Sequence, residues 1–105
     1  MVKLITDLVE LQNIFETNST VIIDFTSKWC GPCQDIAPVF EELSKKNPGI
    51  TCIKIDVDNE NTKEICSLCE VNSMPTFIAV KNGTIINKIV GASRNSLVSL
   101  FTSAS

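Results

Sequence analysis

Two cysteines, Cys30 and Cys33, are separated only by Gly31 and Pro32 and follow Trp29, the single tryptophan of the chain. A C-x-x-C pair can ligate a metal ion, form a permanent disulfide, or open and close a disulfide reversibly. The reactive form of cysteine is the thiolate, and a free thiol with a pKa of about 8.5 is mostly protonated at neutral pH. The surroundings of the pair therefore decide which of these three uses applies.

Zinc is the least favoured of the three. Structural zinc takes four Cys or His ligands, and the chain contains no histidine. Cys66 and Cys69 repeat the spacing, but they lie further along the chain than the roughly 15–20 residues typical of a zinc ribbon. A permanent disulfide is typical of secreted proteins with an even number of cysteines, whereas this chain has five. We therefore expect a reducing cytosol and a reversible redox pair.

The segments around the pair predict a strand followed by a helix. The run Val21–Phe25 is short and mostly apolar, as in a strand covered on both faces. Apolar residues then recur at helical spacing from Ile36 to Leu43, and Asn47-Pro48-Gly49 is a typical helix end. Cys30 is thus predicted at a strand-to-helix junction, where unpaired backbone N–H groups and the helix dipole favour a thiolate.

The remaining apolar patterns predict the order β-α-β-α-β-α-β-β-α. In the first half of the chain, this order depends on a strand at Val2–Ile5, a helix after the capping-box pair Asp7 and Glu10, and a strand over Ile50–Val57. In the second half, it depends on a helical stripe from Thr62 to Cys69, a hairpin of Thr76–Val80 and Thr84–Val90 around Asn82-Gly83, and a helix after Ser93. Strands joined through helices run parallel, and the hairpin adds an antiparallel edge. We expect one α/β domain over residues 1–105, a three-layer α/β/α sandwich with a mixed central sheet of about five strands and four helices.

Asp24 is a carboxylate inside the apolar run that precedes the cysteines. Burial in a strand would raise its pKa and make it able to take up a proton near neutral pH. The alternative is an aspartate at a strand end whose oxygens accept a backbone N–H. The residues alone leave both interpretations open.

Composition excludes several classes of partner. The net charge is −3 and the isoelectric point is near 4.8, and no run of Lys or Arg would follow a phosphate backbone, so we expect no nucleic acid. No apolar stretch approaches the roughly 20 residues that cross a bilayer. The first residues, MVKLITDLVELQ, also lack the pattern of a signal peptide. We expect no membrane partner and a cytoplasmic location.

Further segments make the chain resemble the thioredoxin family, over nearly its whole length. Besides Trp29-Cys30-Gly31-Pro32-Cys33, they are Ile23-Asp24-Phe25, Ile36-Ala37-Pro38, Lys54-Ile55-Asp56-Val57-Asp58, Met74-Pro75-Thr76-Phe77, Asn82-Gly83 and Gly91-Ala92. The Met-Pro-Thr-Phe form resembles eukaryotic cytosolic members. The resemblance implies the thioredoxin fold, no bound cofactor, and reduction of protein disulfides, such as those of peroxiredoxins. An NADPH-dependent thioredoxin reductase would resupply the electrons.

The resemblance also implies a role for each residue of the redox site. Cys30 would be the exposed nucleophile and Cys33 the shielded cysteine that resolves the mixed disulfide. The Gly31-Pro32 pair between them would tune the redox potential. Asp24 would exchange protons with Cys33 through water, and Lys54 beside it would tune Asp24.

A second group of residues would bind the substrate, again by resemblance. Pro75 would follow a cis peptide bond, so that Met74 offers its backbone groups to an extended substrate as to an added strand. Trp29, Gly91 and Ala92 would complete a shallow apolar surface. For Trp29, packing in the core is the alternative, since large aromatic residues are mostly buried.

Three questions stay open on the sequence. Cys66 and Cys69 share a predicted helix face, which favours small core residues, but they could also form a regulatory redox pair; Cys52 is predicted to lie in the core. The chain could be an adaptor that docks without turnover, although docking needs no second cysteine. We expect a monomer, with a disulfide through an exposed Cys69 as the route to a dimer.

Overall fold

A computed structural model describes residues 2–105 and contains one five-stranded sheet. The elements in chain order are β1 (Val2–Ile5), α1 (Leu8–Thr17), β2 (Thr20–Thr26), α2 (Gly31–Lys46), β3 (Thr51–Asp56), a 3₁₀ turn (Glu60–Thr62), α3 (Lys63–Leu68), β4 (Thr76–Lys81), β5 (Thr84–Val90) and α4 (Arg94–Ala104). Each predicted strand and helix is present. The bounds differ by a few residues.

The sheet has the strand order β1-β3-β2-β4-β5. The pairs β1–β3 and β2–β3 are parallel, whereas β2–β4 and β4–β5 are antiparallel. The pair β2–β3 is joined through α2 and runs parallel, and the predicted hairpin β4–β5 is antiparallel. Strand β4 departs from the expectation that strands joined through helices run parallel, because it follows β3 through α3 and yet pairs antiparallel with β2. The mixed α/β sheet expected from the sequence is therefore confirmed.

Two apolar layers cover the sheet, because successive side chains of a strand point to opposite faces. One layer includes Phe40 of α2 and Phe101 of α4, whose ring centroids lie 5.9 Å apart. The other includes Leu11 of α1 and Ile65 of α3. In β2 the residues Val21, Ile23 and Phe25 belong to the α1–α3 layer and Ile22 to the α2–α4 layer. Asp24 therefore faces α2, as Ile22 does.

Helices α1 and α4 begin at the predicted capping residues. Asp7 accepts a hydrogen bond from the Glu10 N–H at 2.8 Å, and Ser93 accepts one from the Ser96 N–H at 3.2 Å. The Glu10 carboxylate reaches back to the N–H of Thr6 at 2.9 Å, one residue before the donor of a standard capping box. Both caps satisfy N–H groups that a helix start leaves unpaired.

Two further segments depart from the sequence prediction in detail. The predicted stripe from Thr62 to Cys69 is divided between the 3₁₀ turn and the short α3. Helix α2 begins at Gly31, directly after Cys30, earlier than the apolar spacing alone indicates. Within residues 2–105, no helix combines the length and the apolar character required to span a bilayer.

Candidate active site

Cys30 and Cys33 lie at the start of α2, at the end of the loop that leaves β2. Cys30 is the N-cap, with an extended backbone, and its Sγ accepts a hydrogen bond from the Cys33 N–H at 3.1 Å. The two residues form a disulfide, with their Cα atoms 5.2 Å apart. Cys33 is only 2% exposed, whereas Cys30 is partly exposed. One sulfur of the pair is thus accessible from solvent and the other is shielded.

The loop before β4 contacts the accessible sulfur. The peptide bond between Met74 and Pro75 is cis, the conformation that the resemblance implies. The Met74 carbonyl oxygen lies 3.7 Å from Cys30 Sγ, and the Pro75 carbonyl accepts a hydrogen bond from the Gly91 N–H at 2.9 Å. Gly91 has a φ of 105°, a left-handed conformation that favours glycine. The structure therefore brings Cys30, Met74, Pro75 and Gly91 together, and the exposed Ala92 follows.

Trp29 projects into solvent beside Cys30. Its side chain is 90% exposed, which rules out the core-packing alternative. The intervening Gly31 and Pro32 are also exposed, in the first turn of α2. Proline suits this position because it has no N–H, and an N–H in the first turn of a helix has no intrahelical partner.

Asp24 is buried beneath this end of the sheet. It is 1% exposed, and its register neighbours are Lys54 on β3 and Phe77 on β4. Burial raises the pKa of the Asp24 carboxyl from 3.8 to about 7, although the Lys54 ammonium lowers it. Its Oδ1 has no hydrogen-bond partner among residues 2–105. Burial and a raised pKa are the conditions that the proton-acceptor interpretation requires.

A small cleft opens beside the shielded cysteine. It has a volume of about 220 Å³, and Cys33, Thr26, Lys54 and Asp56 are among its lining residues. Lys54 thus lines this cleft and is also the register partner of Asp24 on the adjacent strand. The cleft can hold several water molecules between solvent and this region.

The other three cysteines are free thiols. Cys52 is buried in the α2–α4 layer, and burial raises the pKa of its thiol to about 11. Cys66 and Cys69 are half-buried against the α1–α3 layer, and desolvation raises the pKa of both thiols. High thiol pKa values mean little thiolate at neutral pH, which favours packing over redox chemistry. Among residues 2–105, no three His, Cys, Asp or Glu side chains are grouped to hold a metal ion.

Sequence reasoning missed Ser27 and assigned no role to Asp58. The buried Ser27 hydroxyl donates a hydrogen bond to the Asp58 carboxylate at 2.7 Å. Each residue follows one of two adjacent parallel strands, β2 and β3. The sequence did contain a signal for this pair, since polar residues follow two predicted strands directly. The carboxyl ends of adjacent parallel strands meet at one edge of a sheet.

Comparison with known proteins agrees with this geometry. The family model described as Thioredoxin matches residues 5–103. The chain belongs to the thioredoxin family. A Thioredoxin H-type of Picea mariana is 46% identical over 88 residues, which cover 84% of this chain and 69% of the relative. The structure of Plasmodium falciparum thioredoxin superposes with a TM-score of 0.92 at 38% identity, covering 98% of this chain and 99% of that one.

A third match comes from a structural study of thiol resolution in yeast mitochondrial 1-Cys peroxiredoxin via glutathione/thioredoxin systems. Its matching chain has a TM-score of 0.90 and 34% identity, and the match covers 97% of this chain and 94% of that one. As a member of the thioredoxin family, this protein is a thiol–disulfide oxidoreductase. It reduces protein disulfides through the Cys30–Cys33 dithiol, which carries the electrons in place of a bound cofactor.

Proposed function

We propose that Cys30 attacks the substrate and that Cys33 completes the exchange. The Cys30 thiolate would form a disulfide with one substrate sulfur and release the other as a thiolate. The Cys33 thiolate would then attack Cys30 Sγ, closing the Cys30–Cys33 disulfide and releasing the second substrate thiolate. Two electrons pass to the substrate, and its thiolates take protons from water. The difference in exposure between the two sulfurs is the observation that carries this assignment.

Asp24 is the proposed acceptor of the Cys33 proton. A carboxyl with a pKa of about 7 is partly ionised at neutral pH, so it can both take and return a proton. Asp24 faces α2, on which Cys33 lies. The cleft lined by Cys33 and Lys54 offers room for the water through which the proton would pass. Lys54 would keep the carboxyl from remaining protonated, since its charge lowers the Asp24 pKa.

The substrate would lie across the exposed surface around Cys30. Met74 is half-buried with its carbonyl beside the sulfur, while Trp29 and Ala92 are exposed. An extended segment could pair with the Met74 backbone and rest on these side chains, with Pro75 and Gly91 shaping the surface. Main-chain pairing tolerates many side chains, as a reductase with several protein substrates requires. The Gly31-Pro32 pair would tune how stable the Cys30 thiolate is.

The partners and location follow from the family. We propose that an NADPH-dependent thioredoxin reductase reduces the disulfide and that peroxiredoxins are among the substrates, since a similar chain was solved in work on a peroxiredoxin system. The cytoplasm is the proposed location, from the odd cysteine count and from H-type relatives. We also propose a single domain over residues 1–105 that acts as a monomer without a nucleic-acid or membrane partner. The net charge of −3 argues against binding to nucleic acid.

Trapping of a mixed disulfide tests the proposed roles. Reduced Cys33→Ser protein mixed with insulin should accumulate a covalent complex through Cys30, because the resolving thiol is gone. Cys30→Ser should form no complex, and Cys69→Ser, a matched control outside the redox pair, should turn over insulin as the wild type does. If Cys33→Ser forms no complex, or forms it through another cysteine, the assignment of nucleophile and resolving residue is wrong.

A further inference from the structure

Ser27 makes four hydrogen bonds around the loop that carries Cys30. Its side chain is buried, at 6% exposure. The hydroxyl donates to Asp58 Oδ2 at 2.7 Å and accepts from the Trp29 N–H at 3.3 Å. Its carbonyl oxygen accepts from the Cys30 N–H at 3.2 Å and from Gln34 Nε2 at 3.3 Å. One serine therefore holds the backbones of Trp29 and Cys30 and, through the Gln34 side chain, the first turn of the helix that follows.

The acceptor of the Ser27 hydroxyl is itself held by the sheet. Thr26 and Asp56 are register partners at the carboxyl ends of β2 and β3. The Val57 N–H donates to the Thr26 carbonyl at 2.9 Å, and the Asp58 N–H donates to Asp56 Oδ1 at 2.9 Å. The loop before Cys30 is thus tied to two adjacent strands. A hydroxyl-to-carboxylate bond is also stronger than one between neutral groups.

We propose that the Ser27–Asp58 hydrogen bond is a positioning device for disulfide exchange, which holds Cys30 Sγ at the N-terminus of α2. In this position the sulfur accepts a hydrogen bond from the Cys33 N–H at 3.1 Å and lies 3.7 Å from the Met74 carbonyl oxygen. Loss of the Ser27–Asp58 hydrogen bond would loosen the loop, and the sulfur would then move away from the N–H groups that stabilise its thiolate. The sulfur would also move away from the surface to which substrate binds, and small displacements of a reacting atom lower rates steeply.

The charge of Asp58 and its hydrogen bond act on the sulfur in opposite directions. A nearby carboxylate disfavours a second anion, so removal of the charge alone would favour the Cys30 thiolate. Loss of the hydrogen bond would disfavour it, because the helix N-terminus would hold the sulfur less well. Ser27→Ala removes the bond and keeps the charge, Asp58→Asn keeps an acceptor oxygen and removes the charge, and Asp58→Ala removes both. The three variants therefore separate positioning from electrostatics.

The test measures the reduced protein in two ways, with alkylation at Cys30 located by mass spectrometry. The first is the rate of alkylation by iodoacetamide as a function of pH, and the second is kcat/KM for insulin reduction. In Ser27→Ala we expect the midpoint of the pH profile to rise and kcat/KM to fall roughly 2- to 10-fold, the worth of one hydrogen bond. Asp58→Ala removes the same bond from an exposed residue, so it tests the proposal even if Ser27→Ala folds poorly.

The controls distinguish this device from other roles. Asp58→Asn should lose less than twofold in kcat/KM, and the Ser27→Ala/Asp58→Ala double variant should be no slower than the slower single variant, because both remove one bond. Ser99→Ala, an exposed serine on α4, should match the wild type. An unchanged pH profile in Ser27→Ala, or equal losses in Ser27→Ala and Asp58→Asn, would overturn the proposal. The inference rests on Cys30 as the nucleophile, which alkylation of the wild type tests separately.

Discussion

Replacement of Asp24 by asparagine should stabilise the protein, and more so at higher pH. The carboxyl is 1% exposed, and burial raises its pKa in the folded protein to about 7, against 3.8 for an ordinary aspartate. Asparagine has nearly the same shape and carries no charge. The substitution therefore removes the cost of ionising a buried group and leaves the surrounding packing in place.

The size and sign of the effect follow from proton linkage. Between pH 3.8 and about 7, the folded protein binds more protons at this site than the unfolded chain does, so the free energy of unfolding falls as pH rises. Below this window both states are protonated and Asp24 costs nothing. Above it the full difference of roughly 3 pH units applies, which corresponds to about 4 kcal/mol at most. Because local relaxation lowers this figure, we expect Asp24→Asn to add about 2–4 kcal/mol at pH 8.

Urea unfolding of the oxidised protein, followed by far-UV circular dichroism from pH 4 to pH 8, measures this difference. The matched control is Glu16→Gln, which neutralises an exposed carboxylate on α1 and should follow the wild type. The gap between Asp24→Asn and the wild type should widen as pH rises and then level off above pH 7. A gap that stays constant with pH, or a variant less stable than the wild type at pH 8, would refute the reasoning.

Three further predictions concern the rest of the molecule. Phe40→Ala removes a ring that is 1% exposed, so it should lower the free energy of unfolding by about 3–5 kcal/mol in urea titrations; a smaller loss would mean that the core refills the cavity. Asp7→Ala removes the acceptor for the Glu10 N–H and should cost about 1 kcal/mol in the same assay, most of which Asp7→Asn should restore. Mild peroxide should leave Cys66 and Cys69 reduced, since desolvation raises the pKa of both thiols; peptide mapping that finds a disulfide between them would show a second redox pair.

Local chemistry explains which elements could be predicted from the sequence. Asp7 and Ser93 marked helix starts because their side chains accept N–H groups within the next turn. Asn82-Gly83 predicted a hairpin because a two-residue turn requires positive φ at both positions, which Asn and Gly tolerate. The φ angles of the two residues are 51° and 80°. The alternation in β3 likewise separated Ile53 and Ile55 from Lys54. In each case the residues that interact lie within a few positions of one another, so the sequence pattern alone reveals them.

The features that the residues alone did not reveal depend on contacts between distant segments. Most X-Pro bonds are trans, and only the family resemblance implied a cis bond before Pro75. The exposure of Trp29 follows from the loop conformation, whereas residue type alone favours burial. The bond between Ser27 and Asp58 joins residues 31 positions apart, and it required knowing that β2 and β3 are adjacent. Register between strands sets such pairs, and residue spacing along the chain does not.

The exposed indole beside the redox-active sulfurs makes the protein an optical reporter of its own oxidation state. The chain has one tryptophan and no tyrosine, so its ultraviolet emission comes from this ring alone. A disulfide next to an indole quenches its fluorescence, and the ring is already in water in the folded protein. Brightness should therefore follow electron transfer and respond little to unfolding, so that turnover can be recorded continuously without a label.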